Sequence, residues 1–305
     1  MNRTKDIALT ALAPAIWGSS YYVATTFLPD WHPLLVAFLR ALPAGLLLLL
    51  LVRQMPRGIW WSRVFLLGAL NFSVFWAFLF IAAYRLPGGV AATVGAIQPL
   101  LVLMLSRPLL GTRVAPLAFL AALAGIGGVA MLILTPGASL DPLGLAAGLG
   151  GAASMALGTV LSRRWQPPAG PLTFTAWQLV AGGVLLLPAA LAFAPLPEAV
   201  TAANLAGLAY LGLIGAAFTY LVWFRGLARL EPAIVSPLGF LSPVTAVALG
   251  LLLAGETLTG LQVAGIAVIF ASIIAGQRAQ ARRAGVPVAA PSSVPSSASA
   301  TVRAG

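Results

Sequence analysis

Ten largely apolar stretches follow one another along the chain, at about 7–27, 34–52, 64–84, 88–106, 114–134, 143–162, 172–191, 205–224, 233–253 and 258–276. Each is close to the ~20 residues that a helix needs to cross the hydrocarbon core of a bilayer. Charged residues make up 8% and hydrophobic residues 60% of the 305 positions. A soluble domain is typically ~25% charged, so lipid is the expected solvent. The expectation is an all-α membrane protein with ten transmembrane helices.

The basic residues fix an orientation, because cytoplasmic loops carry the excess of arginine and lysine. With the N-terminus inside, the inner segments hold Arg3, Lys5, Arg53, Arg57, Arg63, Arg107, Arg113, Arg163, Arg164, Arg225, Arg229, Arg278, Arg282, Arg283 and Arg303. Arg85 alone falls in an outer loop, and Asp30, Asp141, Glu198 and Glu256 fall outside. The net charge of +11 is therefore a topology signal. Nucleic-acid binding would need a basic patch with aromatic platforms, so none is expected. The first span is read as a retained helix, loosened at Pro14, rather than a cleaved signal.

Two spans carry a proline near the middle. Ala91–Gly111 contains Pro99, and Val235–Gly255, 144 residues later, contains Pro243 at the same place. Such paired interruptions point to a binding site at the membrane midplane of a transporter. The offset of 144 also aligns Leu67–Gly68 with Leu211–Gly212, Phe80 with Phe224, Arg85–Leu86 with Arg229–Leu230, Gly95 with Gly239 and Gly111 with Gly255. An offset of 138 aligns His32–Gly45 with Gly170–Gly183. Five spans per half is an odd number, so the halves should lie in opposite orientations. The expected organisation is two five-helix inverted repeats, 1–137 and 138–280, followed by a Pro/Ser-rich disordered cytoplasmic tail, 281–305.

The segment WGSSYY at Trp17–Tyr22, the arginine in LRALPAG and the two proline-bearing repeats resemble EamA-type exporters of the drug/metabolite transporter superfamily. The resemblance covers about residues 7–277 and extends to the pigment-exporter branch. It implies a multi-pass inner-membrane carrier of small metabolites, such as amino acids or their derivatives, that works by alternating access around a central cavity. The L-G-E ending of the family repeat survives as Gly255–Glu256 in the second half, whereas the first half has Gly111–Thr112–Arg113. A symmetric role for that acid is thereby in doubt.

Arg40 is the ionisable residue well inside a span, about six residues, or ~9 Å, from its outer end. A charge at such depth costs ~2.5–3.5 kcal/mol on insertion scales and marks a site by default. Either it holds a substrate carboxylate, or it reaches the outer headgroups, a carbonyl or Asp30. Its repeat mate is Gln178, which is neutral. Trp17, Ser20 and Tyr21 share one face of the first span through i, i+3, i+4 spacing. With Asn71, Trp76, Trp177, Gln178 and Tyr220 they could wall an aromatic, amide-lined pocket. The alternative for the aromatics is the interfacial belt, expected for Trp60, Trp61, Trp165 and Trp223. Gln98 and Ser242 precede Pro99 and Pro243, where freed carbonyls could contact substrate and the chain could hinge.

The residue inventory narrows the chemistry. There is no cysteine, and His32 is the single histidine, so neither a metal site nor an acid–base pair for an enzyme is in view. No cofactor is expected. The expected partners are the lipid bilayer and a small-molecule substrate carrying a carboxylate; a homodimer is one assembly such a carrier could adopt. A nucleotide-sugar or sugar-phosphate carrier should need several cavity cations, and Arg40 is the one visible. A non-transporting scaffold is a further alternative. For proton coupling, Glu256 is the nearest acidic residue.

Overall fold

The computed structural model describes residues 3–111, 115–133, 141–165, 167–229, 238–239 and 241–283. The tail beyond Arg283 and the loop positions Arg113 and Glu231 lie outside the described residues. Among those described, the regular structure is helical and no strand occurs. The helices are α1 (Arg3–Phe27), α2 (Pro33–Val52), α3 (Trp60–Gly68), α4 (Val74–Arg85), α5 (Gly88–Gly95), α6 (Gln98–Leu110) and α7 (Pro116–Ile133). They continue with α8 (Pro142–Trp165), α9 (Pro171–Phe193), α10 (Ala202–Ala209), α11 (Thr219–Arg229), α12 (Leu241–Leu253) and α13 (Gly260–Arg283).

Among the described residues, seven helical stretches are long and apolar enough to cross a membrane: Thr4–Phe27, Pro33–Val52, Trp60–Arg85, Gly88–Leu110, Pro142–Trp165, Pro171–Phe193 and Ala202–Trp223. The other three expected spans contain shorter apolar helices, Phe119–Gly128, Leu241–Leu253 and Gly260–Gly276. Many leucines on these helices are exposed, including Leu50, Leu191 and Leu252. A lipid-facing surface accounts for them, since hydrocarbon sets no cost on exposed apolar side chains.

Pro99 does interrupt its span. α5 ends at Gly95 and α6 begins at Gln98, with Ala96 and Ile97 in a turn between them. The hydrogen bonds tighten there, Ile97 N–H donating to the Val94 carbonyl three residues back at 3.3 Å. Proline supplies no N–H to continue an i→i−4 ladder, so the helix restarts instead. At the end of α6, Gly111 takes a left-handed φ of 69° and donates to Arg107 O. Gly255, its repeat mate, takes φ 65° after α12. A Cβ is disfavoured in that region, which gives both glycines a mechanical reason.

Packing runs across the two halves. α2 lies against α9, α1 against α11 and α12, α8 against α4, α5 and α6, and α7 against α13. The α2–α9 crossing is close because two glycines meet it. A Cβ on Gly45 would lie 2.7 Å from Val180 N, and one on Gly183 would lie 2.6 Å from Leu42 Cβ. Gly45 and Gly183 are repeat mates at the offset of 138. Small residues let backbones approach where dispersion, not the hydrophobic effect, holds helices together. The small-residue stripe of α8 acts likewise: a Cβ on Gly144 would lie 2.8 Å from Leu86 Cγ, and one on Gly148 2.9 Å from Val94 Cγ1.

Two ion pairs join residues expected on one side of the membrane. Arg85 meets Asp141 at 2.7 Å and Arg225 meets Asp6 at 2.8 Å. Asp141 also accepts the Gly144 N–H at 2.9 Å, capping the start of α8. The Gly144 amide first, then Arg85, holds this carboxyl below its ordinary range.

Candidate functional site

Between α3 and α4 the helix widens into a π segment, Ala69–Ser73, and between α10 and α11 into another, Tyr210–Phe218. Moved by 144 residues, the first falls inside the second. A π turn inserts a residue into the i→i−4 ladder and re-aims the side chains and carbonyls around it. Each segment then meets the second span of the opposite half. Arg40 Nη2, from α2, donates to the Gly215 carbonyl at 3.0 Å. Gln178 Oε1, from α9, accepts from Asn71 Nδ2 at 2.7 Å. Arg40 corresponds to Gln178 and Gly215 to Asn71, so these are the same contact made twice.

The two versions differ in what they leave unsatisfied. Arg40 is 2% exposed, and its Nε and Nη1 find no hydrogen-bond partner among the described residues. Its Cζ lies 4.5 Å from the Trp76 ring centroid and 5.7 Å from that of Phe80. Aromatic faces attract a cation but do not replace a counter-ion. Tyr220, Tyr21 and Tyr210 lie within electrostatic reach of the guanidinium. Ser20 Oγ is also buried without a partner among the described residues.

Rings extend from Trp76 in a connected wall. Phe72 stands 5.1 Å from Trp76 and 5.5 Å from Tyr220, and Tyr220 stands 5.4 Å from Trp17. Trp17 is fixed by its Nε1–H, which donates to Thr219 Oγ1 at 2.8 Å, and it packs 5.3 Å from Trp223. Ser19 Oγ and the Tyr210 hydroxyl are 2.7 Å apart. The structure thus gathers Trp17, Arg40, Trp76 and Tyr220 into one group. Tyr21 sits where α1 meets α5, its hydroxyl 3.7 Å from where a Cβ of Gly95 would be.

The other expected pocket residues lie apart from this group. Asn71 and Gln178 face each other, with Ser162 Oγ 3.4 Å from Asn71 Nδ2. Trp177 turns the other way and donates from Nε1 to the Gln54 carbonyl at 2.6 Å, in a cluster with Val64, Leu67 and Phe174. Successive helical residues point about 100° apart, and here that turn takes Trp177 to Gln54 while Gln178 meets Asn71. Gln98 starts α6, and Ser242 lies in the first turn of α12, where its carbonyl blocks any Cβ on Gly18 of α1. None of the described contacts joins Gln98, Ser242 or Trp177 to Arg40. Trp60 and Trp165 hold Arg63 between them, 5.1 and 5.3 Å from its Cζ, and Trp61 is exposed.

Phe72, Phe80, Tyr210, Thr219 and Gly215 were not singled out from the sequence. Phe72, Trp76 and Phe80 recur every four residues, a spacing that signals one helical face. Gly215 carried a signal too, as the repeat mate of Asn71. Among the described residues no cluster of metal-ligating side chains occurs.

The model of the EamA-like transporter family matches this chain twice, over residues 4–134 and 142–275. Protein PecM of Dickeya dadantii is 48% identical over 274 residues, covering 89% of this chain and 91% of its own length. The uncharacterized inner membrane transporter YedA of Escherichia coli K12 is 31% identical over 264 residues, 85% of this chain and 86% of its own. A protein crystal structure at 22% identity superposes with a TM-score of 0.64 over 92% of this chain and 99% of the other, a likeness of fold.

Proposed function

The chain belongs to the EamA-like transporter family, and on that premise we propose that it exports small anionic metabolites by alternating access. It is an integral multi-pass membrane protein and a transporter, not an enzyme. In the proposed arrangement, ten spans form two five-helix inverted repeats, 1–137 and 138–280, in an inner membrane with both termini cytoplasmic. The double family match and the repeated contact between second span and opposite π segment support the duplication.

Arg40 carries the proposal. A buried cation with no anionic partner is costly in a bilayer, and a bound carboxylate offsets that cost. The guanidinium is prepared for one. Gly215 uses a single N–H of Nη2. Whichever hydrogen that is, one two-donor edge of the fork remains for a bidentate carboxylate. Trp17, Trp76 and Tyr220 would then supply apolar contact beside the charged end. The rings close over Arg40 in this conformation, so loading requires the halves to part. A single cation suits a carboxylate better than a di- or triphosphate, which favours amino acids or their derivatives over sugar phosphates.

The test is untargeted metabolite release from cells carrying wild type, Arg40→Leu or no transporter. Carboxylated species should accumulate outside with the wild type alone, while both proteins reach the membrane in equal amount. Equal release by Arg40→Leu would remove Arg40 from the site.

A further inference from the structure

Glu256 follows α12 in the second half, yet its carboxylate serves the first half. Oε1 accepts the Gly88 N–H at 2.5 Å and Oε2 accepts the Gly89 N–H at 3.2 Å. These are two of the donors that the first turn of α5 cannot satisfy internally. The negative charge also meets the positive end of that helix. The junction is built from both sides. With Gly255 left-handed, Ala254 N–H returns to the Leu249 carbonyl at 3.2 Å and Glu256 N–H to the Gly250 carbonyl at 3.0 Å. This cap directs Glu256 back across α12. Any Cβ on Gly250 would collide with the carboxylate, and a Cβ on Gly89 would lie 3.2 Å from Val247 Cα. The contact therefore requires small residues on both helices.

The helix so fastened is the first half of a broken span. α5 has eight residues and ends at the break before Pro99, so it is hinged at one end and tied at the other. Its inner end meets the Tyr21 hydroxyl of α1, 3.7 Å from where a Cβ of Gly95 would be.

The repeat mates cannot build this contact. At the offset of 144, Glu256 corresponds to Thr112 and Gly88 to Pro232. Threonine lacks a carboxylate and proline lacks an N–H. By residue type, this carboxylate-to-amide contact belongs to one half alone, at the face that the charge pattern makes the outer one.

We propose that Glu256 is a positioning residue that latches the outer gate, so that the resting carrier is closed outside and biased toward loading from the cytoplasm. Outward release of substrate then requires both amide bonds to break. This rests on the carrier reading above and deepens it, since it assigns the direction of the resting bias.

The chain contains no cysteine, so single thiols report cleanly. Thr25→Cys places one in the small cavity lined by Tyr22, Ala246 and Glu256. Ser154→Cys places a control in buried α8, where Ser154 now bonds the Leu70 carbonyl. A membrane-impermeant maleimide is applied from outside. Adding Glu256→Ala should raise labelling at Thr25→Cys about tenfold and leave Ser154→Cys unchanged. Gly88→Pro removes one donor at a helix position that accepts proline, and should give a smaller rise. An equal rise at both thiols means general loosening and overturns the latch, as does no rise with either variant. If Glu256→Ala fails to fold, the Gly88→Pro pair decides. Labelling needs no substrate, so a latch that responds in a protein that releases no metabolite would refute the carrier reading alone.

Discussion

The same contact appears in both halves of the molecule and resolves differently in each. Gln178 and Asn71 bring two neutral amides together at 2.7 Å, with the Gln178 amide donating onward to the Phe174 carbonyl at 3.4 Å. Arg40 and Gly215 bring a cation to a carbonyl at 3.0 Å, with two guanidinium nitrogens left over. The first is nearly a closed account of hydrogen bonds, with Asn71 Oδ1 the exception. The second is an open one. Duplication supplied a symmetric scaffold, in which each second span crosses to the π segment of the other half. The two versions differ at both ends, arginine against glutamine and glycine against asparagine, and the difference leaves a cation in one contact alone.

The largest expected effect tests the symmetric part. Gly45→Leu and Gly183→Leu should be equally severe, since each drives a side chain into the facing backbone or Cβ. Loss of monodisperse protein in detergent chromatography is expected for both; a severe result for one alone would break the equivalence. The asymmetric part is tested next. Arg40→Gln removes the charge that distinguishes the two contacts and should lower transport about a hundredfold with little change in melting temperature, whereas Gln178→Leu should lower it only severalfold. Equal losses in a flux assay would place the amide pair in the site as well. Asn71→Leu comes third: it leaves the Gln178 carbonyl oxygen buried without its short bond and should cost about 1–3 kcal/mol by thermal unfolding. The smallest effect belongs to Asp141 at the rim. Its carboxyl is held below the ordinary range, so its contribution is complete above about pH 4 and fades as pH falls through the lowered value. Asp141→Asn should abolish that acid-side slope in thermal unfolding, giving a slightly lower melting temperature than wild type at neutral pH and the same one in acid.

How far the site could be read from sequence depended on the range of the interaction. The break at Pro99 and the depth of Arg40 are local properties of short segments, and both were visible there. Trp17, Trp76 and Tyr220 were expected in one aromatic wall, and ring contacts through Phe72 connect them, with Trp76 against Arg40. Trp177 was grouped with them in the same wall, but its indole N–H is directed to the Gln54 carbonyl. Glu256 was named from its charge as a proton-site candidate, and the backbone amides it binds, 168 and 167 residues away, could not be inferred from the charge.

The sequence by itself determined that the chain lives in a membrane, that its sequence is duplicated and that the second apolar segment of one half carries a charge its mate lacks. It could do so because a bilayer imposes its demand segment by segment: enough apolar length, with backbone bonds closed inside each helix. Only the tertiary structure decided which polar groups meet. The Arg40–Gly215 bond spans 175 residues and the Asn71–Gln178 bond 107, and both depend on a glycine crossing and two π turns. Helix crossings of that kind are set by the summed packing of many small contacts, each too weak to leave a mark in the local sequence.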